Sequence, residues 1–81
     1  MLHSDCPLTS SLLRLLQACV DLHTTSASPI ALHLHLSVAT VRTEFQRILT
    51  LLDVHDRHAA VTLALSKGWI APSSGAHTDE T

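Results

Sequence analysis

The sequence predicts an all-α domain of four helices, and three observations point to it. Hydrophobic residues make up 46% of the chain, Leu and Ala dominate, and Phe45 and Trp69 are the only aromatic residues. That mix suits helices packed through leucines rather than strands. Apolar residues recur at intervals of three and four along much of the chain, the period of a helix with one buried stripe. Such stretches follow a Ser, Thr or Asp that can cap the free amides of a helix start.

Met1–Pro7 has no periodicity and reads as a flexible leader. Thr9 or Ser10 can cap a first helix over Ser10–Leu22, with Leu12, Leu15, Leu16, Cys19 and Val20 as its stripe. His23–Ser28 is a turn, because Thr24, Thr25, Ser26 and Ser28 compete with the backbone for hydrogen bonds. Ser28-Pro29 then predicts a second helix start. Ser28 would be its N-cap and Pro29 its first residue, where the missing N–H is not needed. Ile30, Ala31 and Leu34 make its inner face, and it ends near His35. The third helix is Ser37–Leu52, capped by Ser37, with Val41, Phe45, Ile48, Leu49 and Leu52 as core. Asp53-Val54-His55 is a turn, and Asp56 caps a fourth helix with Ala59, Ala60, Leu63 and Ala64 inward. Gly68 stops that helix. Trp69 and Ile70 fold back onto the core, and Ala71–Thr81 reads as a disordered tail. The folded unit is therefore residues 8–70. With 81 residues there is room for one domain. A domain this small buries only about 60% of its unfolded surface, so pairing with a second copy would be a natural supplement.

Several function classes fall away. No nucleophile–base pairing at a meaningful spacing and no glycine-rich phosphate loop is present, so an enzyme is not expected. Cys6 and Cys19 form no CxxC motif and read as free thiols. Seven histidines are a high share. His33 and His35 would point apart on a helix, however, and the His55/His58 pair lacks an evident third ligand, so no metal or cofactor is expected. The chain has neither the basic start and apolar run of a signal peptide nor an apolar stretch near the roughly 20 residues of a membrane span. It is expected to be cytoplasmic. The net charge is −2, unusual for a nucleic-acid binder, but Asp5, Asp21, Asp79 and Glu80 all lie outside the central Ala27–Leu52 stretch.

The second and third helices, joined by a very short gap, form a helix-turn-helix pattern. Within it, Leu36-Ser37-Val38-Ala39-Thr40-Val41-Arg42-Thr43, followed by Arg47-Ile48-Leu49 and Leu52-Asp53-Val54, resembles the recognition helix of LuxR-type (GerE-type) regulators. The likeness runs on through Asp56–Val61, Leu63-Ala64-Leu65 and Gly68-Trp69-Ile70. Leu8-Thr9 and Leu15-Leu16 match the family's opening. Departures lie in the first helix and before Ile30, where the family's Lys and Glu are missing. Glu44 stands where the family has His, and Thr50 and Leu51 replace basic residues.

The resemblance implies a transcriptional regulator that inserts Ser37–Leu52 into the major groove of double-stranded DNA. Arg42, Thr43 and Gln46 would face base edges: Arg can fork onto guanine, Gln can pair with adenine, and the Thr methyl can touch thymine. Thr40, Arg47 and the helix start at Ser37 would hold phosphates. Glu44 would sit near the DNA backbone and be repelled, or read a cytosine amino group. His58, Val61, Thr62 and Leu65 on the fourth helix would form the interface of a homodimer. The competing expectation is a degenerate helix-turn-helix that binds protein, either another LuxR-type regulator or RNA polymerase.

Overall fold

The computed structural model describes residues 6–72. Leader 1–7 and tail 71–81 lie outside them, apart from Cys6, Pro7, Ala71 and Pro72. Four helices follow one another: α1 (Ser10–Leu22), α2 (Ala27–Leu34), α3 (Val38–Leu52) and α4 (Arg57–Ser66). No strand is present among the described residues. The fold is all-α, as the periodicity predicts. Helices α1 and α3 pack on each other, and each also packs on α2 and α4.

Three of the four helix starts carry a side-chain cap. Thr9 Oγ1 accepts the Leu12 N–H at 3.3 Å, Ser37 Oγ accepts that of Thr40 at 3.0 Å, and Asp56 Oδ1 accepts that of Ala59 at 2.8 Å. Helix α2 starts earlier than expected. Its N-cap is Ser26, and Ala27 and Ser28 are already helical. Pro29 therefore occupies the third helical position instead of the first. The correction has a simple cause: no amide in the first turn of a helix has a partner within it, so a residue without N–H fits anywhere in that turn. Starting at Ala27 also buries Ala27 beside Ile30 and Ala31.

All four helices end in the same way, each with a residue of positive φ. His23, His35 and Asp53 have φ of 55°, 61° and 57°, and Gly68 has 75°. After each, the next N–H reaches back to the last turn: Thr24 to the Cys19 carbonyl, Leu36 to Ala31, Val54 to Leu49 and Trp69 to Ala64. This double-bonded closure satisfies carbonyls that the helix leaves open. Only at Gly68 does it use the residue type with no steric objection to positive φ.

The core is continuous. Phe45, Leu15, Leu16, Ile30, Ile48 and Val41 are its largest fully buried side chains, each worth about 1.5–3 kcal/mol of burial. Ala60 and Ala64 let α4 approach closely, and Ile70 closes the lower edge. Leu49, Leu52 and Val20, expected in the core, are only half-buried at its margin, as are Ala59, Leu63 and Trp69. No buried side-chain nitrogen or oxygen lacks a partner among the described residues. Two tertiary ties hold the ends in place. The Gln17 amide pairs with both the N–H and the carbonyl of Ala71, each at 2.9 Å. Arg57 lies with its guanidinium carbon 4.1 Å from the centre of the Phe45 ring and donates to the Thr25 carbonyl at 2.8 Å.

Candidate nucleic-acid interface

His35, Leu36 and Ser37 alone separate α2 from α3. The reversed φ at His35 and the Ser37 cap make that turn abrupt, and the buried Val41, Phe45 and Ile48 then seat α3 on the rest of the domain. The opposite side of α3 is left to solvent. Ser37, Thr40, Arg42, Thr43, Gln46 and Arg47, the six residues expected to meet DNA, are all exposed.

Their arrangement follows from the helical period. Thr43 lies opposite the buried stripe. Arg42 and Gln46, four apart, share one flank; Thr40 and Arg47 share the other. Ser37 is already engaged: besides accepting the Thr40 N–H, its hydroxyl donates to Thr40 Oγ1 at 2.9 Å. Thr40 keeps its own O–H to donate. Neither Arg42 nor Arg47 donates a hydrogen bond to the protein among the described residues, whereas Arg57 does. Both arginines are therefore available to an external acceptor.

Glu44 stands beside the residues expected to hold phosphate. It is half-buried, and being two positions from Arg42 and Gln46 it projects from the other side of the helix. Its carboxylate stands on the Thr40–Arg47 flank, away from Arg42. The charge on α3 is graded along its length. The N-terminal end offers the helix's positive pole and leads to Arg42 and Arg47, with Glu44 between them in sequence. The C-terminal end carries Asp53, and a concavity of about 440 Å³ there is lined by Gln46, Leu49, Thr50, Asp53, Val54 and His55. An acidic group at a helix's negative pole makes that end unfavourable to phosphate.

On α4, His58, Thr62 and Leu65 are exposed and Val61 is half-buried. Spaced by three and four, they form one contiguous face beside the inward Ala60 and Ala64. Sequence reasoning missed two features. Arg57 became a clamp between α4, Phe45 and the loop before α2; no local pattern signals a contact between residues so far apart in sequence. Leu32 is 79% exposed on the outer face of α2, with Leu36 and Leu51 also exposed. Its place is legible from the period, since Leu32 falls opposite Ile30, Ala31 and Leu34. No group of three His, Cys, Asp or Glu side chains among the described residues could hold a metal ion. None of the described helices is long and apolar enough to cross a membrane.

The chain matches no known family, no curated protein and no solved structure.

Proposed function

We propose that this chain is a DNA-binding helix-turn-helix regulator of LuxR type that reads the major groove with α3. The observation that carries the reading is the free face of that helix. Arg42, Thr43 and Gln46 stand exposed on a helix held by its buried side behind an abrupt turn, and no acidic side chain shares the Arg42–Gln46 flank until Asp53. Arg42 takes a guanine edge, Gln46 an adenine edge, and Thr43 a thymine methyl. Arg47 and Thr40 hold a phosphate on the other flank, joined by the free amides at the start of α3 and opposed there by the half-buried Glu44. The α4 face of His58, Val61, Thr62 and Leu65 pairs two copies, which presents two α3 helices to half-sites about one DNA turn apart.

A second reading is a protein-interaction module. The exposed Leu32, Leu36, Leu51 and Leu65 favour it, as does the net charge of −2. Its partner would be another regulator or RNA polymerase. Binding to random double-stranded DNA across a salt series separates the two, because phosphate contacts alone make affinity fall steeply with salt.

A further inference from the structure

We infer that the concavity between the C-terminal end of α1, the loop before α2 and the start of α4 is a binding site for a small organic carboxylate. Its volume is about 320 Å³, and it is lined by Cys19, His23, Thr24, Thr25, His58, Val61 and Thr62. That size is at the lower end of small-molecule sites, about 300–1,000 Å³.

The chemistry of the lining selects the ligand. No carboxylate side chain is among the lining residues. The nearest in sequence are Asp21, which accepts the Gln17 side-chain amide at 3.2 Å, and Asp56, which is turned to the Ala59 N–H as a helix cap. The lining instead offers donors from two elements: the His23 imidazole at the end of α1, the His58 imidazole on α4, and three threonine hydroxyls. Thr24 Oγ1 accepts the Ser26 N–H at 3.1 Å, which leaves its O–H free to donate. A guanidinium stands behind this wall, since Arg57 is bonded to the Thr25 carbonyl. His58 also lies in the first turn of α4, at that helix's positive pole. Val61 and Cys19 supply an apolar wall for the body of the ligand. Burial keeps the Cys19 thiol neutral, with its pKa pushed up to about 11, so it adds no negative charge. A rim of N–H and O–H donors with no carboxylate among them, beside an apolar wall, fits a carboxylate head on a short apolar body. The inference rests on this cavity and not on the reading of α3, and it competes with the pairing of two copies through α4, because His58, Val61 and Thr62 cannot serve a ligand and a second copy at once.

The test uses the full chain, labelled with ¹⁵N and titrated with sodium benzoate at fixed pH and ionic strength. Saturable amide shifts centred on Thr24, Thr25, His58, Val61 and Thr62 are expected. Benzyl alcohol, the neutral counterpart, should bind about ten-fold more weakly, as should benzoate to His58→Leu, through loss of a charge-assisted bond. Thr62→Val, a second exposed position outside the core, should also weaken benzoate. Absent or scattered shifts, equal binding of benzoate and benzyl alcohol, or indifference to both substitutions would overturn the assignment.

Discussion

Replacing Arg57 with Met removes a charge but keeps much of the side chain's length, and the structure gives the terms of the cost. The guanidinium packs 4.1 Å from the centre of the Phe45 ring. At a half-buried position such a contact is worth about 1 kcal/mol. The 2.8 Å bond to the Thr25 carbonyl is charge-assisted. Thr25 is only half-buried, so water can reach its carbonyl after the change, and the low end of the usual range, about 1.5 kcal/mol, applies. One term runs the other way. Arg57 is the first residue of α4, where a cation opposes the helix dipole, and its removal recovers about 0.5 kcal/mol. The net loss is about 2 kcal/mol, or a fall in Tm of roughly 8–16 °C for a domain of this size. Thermal and urea unfolding of Arg57→Met, Phe45→Leu and the double variant measure it, with a coupling of about 1 kcal/mol expected between the two sites. A loss below about 0.5 kcal/mol with no coupling would refute the clamp.

Asp53→Gly should stabilise the domain by about 1 kcal/mol in urea unfolding, because glycine accepts the positive φ and the change removes a carboxylate from the negative pole of α3. Cys19 should resist iodoacetamide in the native state at pH 8 while Cys6 reacts, since burial raises its pKa from 9.0 to about 11; equal mass-spectrometric labelling would contradict the packing. The same shift fixes a pH dependence. The folded pKa is the higher one, so the contribution is fully present below about pH 9 and lost as pH rises towards 11, a slope that Cys19→Ala should flatten. Arg42→Ala should cost about 1–3 kcal/mol of specific DNA binding and relax preference at one base pair, whereas Arg47→Ala should weaken binding to all sequences alike.

What could be read from the sequence was what depends on neighbours along the chain. Val41, Phe45 and Ile48 announce the buried side of α3 by spacing alone, and Ser37 and Asp56 announce caps that the structure contains. The bounds of α1 follow from its leucines and Thr9. The start of α2 is not fixed by sequence, because Ser26 and Ser28 are equivalent by local chemistry; burial of Ala27 favours the earlier one. The reversed φ at His23, His35 and Asp53 had no glycine to mark it. Arg57 reads as an ordinary surface cation until α2, α3 and α4 are assembled around it. The six residues singled out on α3 were legible as a set because exposure follows from the period. The half-burial of Glu44 was not legible, since it depends on how close the neighbouring elements come.

The central claim is that α3 carries this domain onto DNA, and its salt dependence tests that most directly. Each copy offers Arg42 and Arg47 as exposed cations on α3. Arg42 is assigned to a base edge and Arg47 to phosphate, so two bound copies would neutralise about two phosphates, and log K should fall against log[salt] with a slope of about −2. Fluorescence anisotropy of labelled random duplex DNA between low and physiological salt gives that slope, and Arg47→Ala in both copies should make it shallower by about 2. No binding at low salt, or a slope indifferent to Arg47, would contradict the account.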